Sequence, residues 1–296
     1  MKQDPEKLWP APAKLNLFLH ITGRLESGYH RLQTLFQLLD WGDEIAIAAT
    51  GDPGIRRTTQ IAGVSEQDDL SLKAARLLKA ECGCSQGATI EVRKNIPIGA
   101  GLGGGSSDAA TVLHALNELW GCKVPDRDLA RMGLKLGADV PLFLKGRSAW
   151  AEGVGEKLSP VALGSNWFVL LMPGFRVATA EVFAAPGLPR NTQPIQWADY
   201  RYETSRNDCQ GSAVNLHPQL GRIIDEVSEF GNWRMTGTGS AIFLPAQDEI
   251  HADTVTQELK CRYNVRAVRG VDRSPLLDMG IGDSLDGNYP DKNAPG

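Results

Sequence analysis

One segment constrains this chain more than any other: Gly99-Ala-Gly-Leu-Gly-Gly-Gly-Ser-Ser-Asp, with five glycines in seven residues. Ala88–Ile96 before it reads as a strand. Behind it Ala109, Val112, Leu113, Leu116 and Trp120 fall on one face of a helix. Strand, glycine loop and helix in that order gather backbone N–H groups. Glycine admits positive φ and lets the main chain approach a ligand with no Cβ in the way. The helix that follows begins with four unpaired N–H groups and about half a positive charge, a seat for phosphate. Ser106 and Ser107 fall where a helix cap belongs, so their hydroxyls can cap the helix, bind phosphate or approach a magnesium ion. A flexible linker would be poorly placed between an apolar strand and an amphipathic helix.

Two other phosphate loops compete for the segment. The pattern GxxxxGK[ST] fails because no lysine follows the glycines. Gly99, Gly101 and Gly104 satisfy GxGxxG, which also requires an acidic residue about 20 positions on, at the end of the next strand. That distance lands on helix-like Glu118–Trp120. A dinucleotide-binding oxidoreductase is thereby disfavoured but stays in competition, as does a nucleotide sensor without turnover.

A length of 296 residues suggests two domains, which we place at 1–162 and 163–277. In the first, strands are expected at 13–21, Leu32–Leu39 and Glu44–Ala48, with Trp41-Gly42-Asp43 as a turn. Helices are expected at Leu70–Leu78, capped by Asp68 or Asp69, and at Asp126–Leu136, ended by Gly137. Pro141 fixes an extended loop after Asp139, and short strands follow near Ser148–Glu152 and Lys157–Val161. The second half offers a strand at Trp167–Met172, a helix around Gln219–Phe230 and a strand pair about Gly237–Gly239. A helix near Asp248–Lys260 and a strand at Val265–Val268 close it. From Asp278 the composition turns polar and glycine-rich, so 278–296 reads as a disordered tail.

A net charge of -4 and scattered basic residues give no field for a nucleic-acid backbone. No apolar stretch approaches the roughly 20 residues of a spanning helix, and the polar N-terminus is unlike a signal peptide. We therefore expect a cytoplasmic chain with no nucleic-acid or membrane partner. Cys82, Cys84, Cys122, Cys209 and Cys261 form no CxxC pair, so all five are expected as reduced thiols.

Pro97-Ile-Gly-Ala-Gly-Leu-Gly-Gly-Gly-Ser-Ser closely resembles the phosphate loop of the GHMP kinases, which phosphorylate small alcohols. Pro12-Ala-Lys-Leu-Asn-Leu and Thr236-Gly-Thr-Gly-Ser-Ala agree with that layout. Gly28-Tyr29-His30, Leu136-Gly-Ala-Asp139-Val-Pro141 and Asn207-Asp208-Cys209 narrow the resemblance. They are similar to the branch that acts on a methylerythritol bearing a cytidine diphosphate, in the non-mevalonate route to isoprenoid precursors. The sister homoserine and mevalonate kinases are the alternative.

The resemblance implies a two-domain α+β fold, ribosomal-protein-S5-domain-2-like at the N-terminus and a ferredoxin-like α/β sandwich at the C-terminus, with the site in the cleft between them. It implies ATP and Mg²⁺ as cofactors, and a monomer or homodimer. Pro97, Ile98, Gly99, Ala100, Gly101, Leu102, Gly103, Gly104, Gly105, Ser106 and Ser107 would hold ATP. Lys14 and Asp139 would be catalytic. Asn16, Tyr29, His30, Phe36, Thr179 and Phe183 would meet the substrate, Tyr29, His30 and Phe183 at its cytosine. No residue is assigned to the metal. Lys94 and Asn95 are weak candidates for adenine contacts.

Phosphoryl transfer needs alignment and relief of negative charge rather than covalent help. A carboxylate of reference pKa about 4 is too weak a base to ionise an alcohol beforehand, so its proton leaves late. An ammonium stabilises the incipient alkoxide or a γ-phosphate oxygen. Lys14 and Asn16 project from the face opposite Leu15, Leu17 and Leu19, where both can line a cleft.

Overall fold

Apolar alternation at the N-terminus builds two long antiparallel strands. In the computed structural model, which describes residues 7–26 and 28–280, β1 (Leu8–Arg24) pairs with β2 (His30–Thr50) from Leu8 opposite Ala46 to Arg24 opposite His30. The turn expected at Trp41-Gly42-Asp43 is absent: β2 runs straight through it. Gly42 faces Pro12 in the ladder, and a Cβ there would lie 2.1 Å from the Ala11 carbonyl oxygen. Glycine serves here for close approach, and the register slips between Pro12 and Lys14 as a bulge.

The other edge of β2 is shared among three strands. Thr34–Phe36 pairs with β5 (Ala149–Glu152), Leu38 and Leu39 with β10 (Asn264–Val271), and Glu44–Thr50 with β4 (Gly87–Arg93). β3 (Ile55–Arg57) lies parallel to β4, and β6 (Lys157–Pro160) extends β5. Beyond β10 come β7 (Trp167–Met172), β9 (Ile242–Ala246) and β8 (Arg234–Met235), so one sheet runs β3-β4-β2-β10-β7-β9-β8.

Helices α1 (Leu70–Cys82) and α2 (Gly104–Leu119) pack on each other, and α2 lies against β1 and β2. The Asp69 side chain caps α1 by accepting from the Ser71 amide, which settles the choice between Asp68 and Asp69. α3 (Asp126–Leu136) ends at Gly137, as expected. The loop expected around Pro141 is instead α4 (Val140–Lys145), with proline in the first turn, where no intrahelical N–H is required. Asp139 therefore stands at a helix N-terminus. Trp9, Leu72, Leu113 and Val140 belong to the core beneath these helices.

In the second half, α7 (Pro218–Glu226) and α8 (Glu249–Leu259) follow expectation. α5 (Thr179–Ala184) and α6 (Asp208–Leu216) were not foreseen. Val169, Ala213, Leu244 and Leu259 share a second core. A third core joins Leu15, Phe18 and Leu35 to Phe168 and Phe243, and it takes in Ala100 and Leu102 of the glycine loop. That anchorage gives the loop a fixed base. The fold is mixed α+β.

The cysteines depart from expectation. Cys82 at the end of α1 and Cys122 just beyond α2 are joined as a disulfide, with Cα atoms 5.8 Å apart, while Cys84, Cys209 and Cys261 are free. Spacing could not reveal the pair, because the packing of α1 on α2 creates it. Among the described residues no helix is long and apolar enough to cross a membrane. The expected tail lies outside the described residues from 281 on; before that, Leu277–Met279 form a 3₁₀ turn with Leu277 buried.

Candidate active site

The glycine loop leaves β4 and enters α2 with positive φ at Gly99 (70°), Gly101 (77°) and Gly103 (78°). Gly103 is the N-cap of α2, and no side chain caps it. Ser106 and Ser107 thus lie inside the first turn, three and four residues past the cap, and not at the cap position the sequence suggested. The Ser107 amide donates to the Gly103 carbonyl at 2.9 Å, and its hydroxyl is buried without a hydrogen-bond partner. Ser106 faces the cleft. Leaving the helix start uncapped keeps its amides free for an anion.

The late Thr236-Gly-Thr-Gly segment backs this loop. The Ala241 amide donates to the Ala100 carbonyl at 3.0 Å, and the Thr236 hydroxyl to the Gly101 carbonyl at 3.4 Å. Asn207 holds the same segment from behind. Its Nδ2 donates to the Met235 and Gly237 carbonyls at 2.7 and 2.8 Å, while its Oδ1 caps α6. Asp208 accepts from the Ile21 amide at 2.8 Å, tying α6 to β1.

A cleft of about 1020 Å³ opens over the loop. Every candidate residue of the sequence reading lines it except Asn95 and Ser107. At its centre Lys14 Nζ lies 3.4 Å from Asp139 Oδ2, with side-chain exposures of 3% and 33%. The ammonium is buried, and the carboxylate is the partner a ligand can reach. Lys14 Nζ also donates to Asn16 Oδ1 at 2.6 Å and stands 5.4 Å from the centre of the Phe36 ring.

The Asn16 amide is oriented by a relay. Thr34 donates its hydroxyl hydrogen to the Phe18 carbonyl, so its oxygen is free to accept from Asn16 Nδ2 at 2.9 Å. That contact turns Asn16 Oδ1 toward Lys14. The Lys14 amide donates to the Leu102 carbonyl at 3.0 Å, fastening the strand to the glycine loop.

Toward α1 the cleft is lined by buried charge. Lys94 Nζ contacts Asp43 and lies 2.8 Å from Asp108 Oδ2. Asp43 accepts from the Asn95 and Ile96 amides at 2.6 and 2.8 Å. Two carboxylates face one ammonium, so one negative charge is in excess. Burial pushes the Asp108 carboxyl up to about 7, with Asp43 adding to the rise and Lys94 opposing it. Burial works against the Lys94 ammonium, but Asp108 and Asp43 outweigh it and hold it above its usual value.

Of the adenine candidates, Lys94 borders the cleft with its ammonium committed to those carboxylates. Asn95 turns away and donates to the Gly42 carbonyl at 2.9 Å. Beside them Arg57 and Asp69 form a buried pair at 2.6 Å. The sequence reading passed over Asp43 and Asp108. Asp108 left a signal, since a carboxylate on an otherwise apolar helix requires a buried partner.

At the far end His30 stacks on Phe183, ring centres 5.1 Å apart at an interplanar angle of 23°. Tyr29 stands 68% exposed at the rim. Thr179 opens α5 and shares a 2.9 Å hydrogen bond with Thr238 of the late glycine segment.

A loop on buried strands, an uncapped helix start and a lysine–aspartate pair together describe a phosphotransfer cleft, and family models agree. That of the GHMP kinases N-terminal domain matches residues 69–147, and that of the GHMP kinases C-terminal domain matches 190–265. The class is the GHMP kinases.

Relatives refine it. A 4-diphosphocytidyl-2-C-methyl-D-erythritol kinase of Pseudoalteromonas atlantica is 47% identical over 270 residues, covering 91% of this chain and 94% of that protein. One from an Azoarcus species is 48% identical, covering 91% and 96%. The chain belongs to the 4-diphosphocytidyl-2-C-methyl-D-erythritol kinase family. A crystal structure of a 4-(cytidine 5'-diphospho)-2C-methyl-D-erythritol kinase has a TM-score of 0.79 at 36% identity, covering 90% of this chain and 100% of that one. A homoserine kinase structure from Cytophaga hutchinsonii, with a TM-score of 0.64 at 18% identity over 93% of this chain and 96% of its own, shares the fold.

Proposed function

We propose that this chain uses ATP to phosphorylate the 2-hydroxyl of 4-diphosphocytidyl-2-C-methyl-D-erythritol, a step toward isoprenoid precursors by the non-mevalonate route. The observation that carries the reading is a single cleft in which the glycine loop, the 3.4 Å Lys14–Asp139 pair and the His30–Phe183 stack succeed one another. Residues 1–162 supply the loop, the pair and His30, while 163–277 supply Thr179 and Phe183. The cleft is complete within one chain, so a monomer or a homodimer can act, in the cytoplasm.

Loop amides from Gly99 to Gly105 and the start of α2 hold the triphosphate. Asp139 accepts the proton of the substrate hydroxyl as the new O–P bond forms, and it aims that hydroxyl at the γ-phosphorus. Lys14, held by Asn16 and Asp139, offsets charge on the reacting oxygens. Among the described residues no cluster of His, Cys, Asp or Glu is built to hold a metal ion. A magnesium ion would therefore arrive on the triphosphate, the cleft-facing Ser106 hydroxyl is the side chain that would help hold it, and it would supply neutralisation of phosphate charge.

Sister substrates such as homoserine or mevalonate have no base to occupy the aromatic end. The test is a coupled assay on the purified protein. ATP consumption should depend on the cytidylated methylerythritol; turnover with homoserine or mevalonate instead would reassign the enzyme. Quenching of tryptophan fluorescence by NAD and not by ATP would point to an oxidoreductase.

A further inference from the structure

Resting on that reading of the substrate, we propose that Arg190 is a positioning residue that locks His30 as the neutral tautomer protonated on Nδ1, so that the cleft discriminates cytosine from uracil. Arg190 lies in the segment after α5. Its Nε donates to His30 Nε2 at 3.2 Å, its Nη2 to the Phe183 and Ala185 carbonyls at 3.2 and 3.0 Å, and its Nη1 to the Leu188 carbonyl at 3.2 Å.

A guanidinium has five donors and no acceptor, so His30 Nε2 must offer its lone pair. The proton of a neutral imidazole then has one place left, Nδ1. An imidazolium would set two N–H donors against each other. The charged groups acting on the ring agree with a neutral form. Burial first, then Arg190, then Arg24 on β1, directly opposite in the ladder, hold His30 below its ordinary value. The same guanidinium closes the last carbonyls of α5 and so fixes Phe183 against the His30 ring.

The ring therefore shows a ligand one polar atom, and that atom is a donor. The donor separates the bases when it is directed at N3, which is an acceptor in cytosine and carries hydrogen in uracil; O2 accepts in both and tells nothing apart. A site built to make a hydrogen bond rejects the analogue that cannot make it, because the site's own group is left unpaired. Arg190 touches no reacting atom, and its effect on the base passes through His30.

Two measurements test this. Long-range ¹H–¹⁵N spectra of histidine-labelled wild-type protein should show His30 Nε2 unprotonated and Nδ1 bearing hydrogen; the opposite pattern overturns the proposal without any variant. Kinetically, Arg190→Ala should raise KM for the cytidylated substrate about tenfold, the loss of one hydrogen bond's selectivity, leave kcat within about twofold, and leave KM for ATP unchanged. The preference for the cytidylated over the uridylated analogue should shrink by a similar factor. Unchanged KM and preference, or a fall in kcat alone, refutes it. Should the variant fail to fold, the wild-type ring spectrum decides. Should the wild type not turn over the cytidylated substrate at all, the substrate reading fails, and the spectrum still decides whether Arg190 sets the tautomer.

Discussion

Replacing Gly101 by alanine perturbs the phosphate loop at the point where it touches the rest of the protein most closely. The residue has φ +77°, and a Cβ there would lie 2.3 Å from the Thr236 carbonyl oxygen and 3.1 Å from both the amide nitrogen and the carbonyl oxygen of Gly239. All three obstacles are main-chain atoms, and the Gly239 amide is itself bonded to the Thr236 carbonyl at 3.0 Å. A relaxed carbon–oxygen contact is about 3.3 Å, so loop or backing must give by about 1 Å. The left-handed backbone adds about 1–2 kcal/mol for a residue with a side chain. A misplacement of about 1 Å costs up to about 100-fold in rate, so Gly101→Ala should lower kcat/KM for ATP by that order. The melting temperature should fall by about 2–8 °C. Gly211→Ala is the control: Gly211 lies within helix α6, and an added Cβ would meet nothing within 4 Å. That variant should keep full activity and gain about 0.5–1 kcal/mol. Steady-state kinetics with thermal melts read both. If Gly101→Ala retains kcat/KM within about threefold of wild type, the loop does not depend on this contact and the reasoning fails.

Asp139→Asn should lower kcat by about 10²–10⁴ while the protein stays folded and binds ATP, and a near-normal kcat would remove Asp139 from the chemistry. Thr34→Val breaks the relay to Asn16 and leaves the Asn16 amide and the Phe18 carbonyl unpaired, at about 1–3 kcal/mol for each group. It should cut kcat about tenfold, with Thr34→Ser restoring most of it; equal kcat in both variants would show that the relay is idle. Because burial holds Asp108 up at about 7, the folded chain keeps a proton that the unfolded chain sheds near pH 4. That share of stability is complete below about pH 4 and is lost as pH climbs through about 7. Asp108→Asn should therefore flatten the decline in melting temperature between about pH 4 and 7, and an unchanged slope would relieve Asp108 of that role.

What could be read from sequence was local. Five glycines between a strand pattern and a helix pattern describe a phosphate cradle wherever they occur, and Asp126–Leu136 ends on its glycine as helix rules require. Misreadings arose where a local signal served a distant purpose. Gly42 looked like a turn residue, yet it is there to admit the Ala11 carbonyl from the neighbouring strand. Pro141 looked like a loop breaker and sits instead in the first turn of α4. Ser106 and Ser107 were placed as caps because serine favours that position, but the left-handed turn at Gly103 moves the cap upstream. The pairing of Lys14 with Asp139 required the family resemblance, since nothing in the spacing brings β1 to the residue before α4. Arg190, Asp43 and the Cys82–Cys122 link depend on tertiary packing alone.

The uninterrupted course of β2 has a mechanical corollary. His30 opens that strand, Thr34 holds Asn16, Phe36 stands beside Lys14, and Asp43 farther along grips Lys94. Both ends of the cleft and its centre thus hang on one ruler whose spacing is covalent. Its edges are clamped by β1 on one side and by β5, β10 and β4 on the other. Any opening and closing that a catalytic cycle demands must then come from parts off that ruler, against a bed that strands on both of its edges hold still.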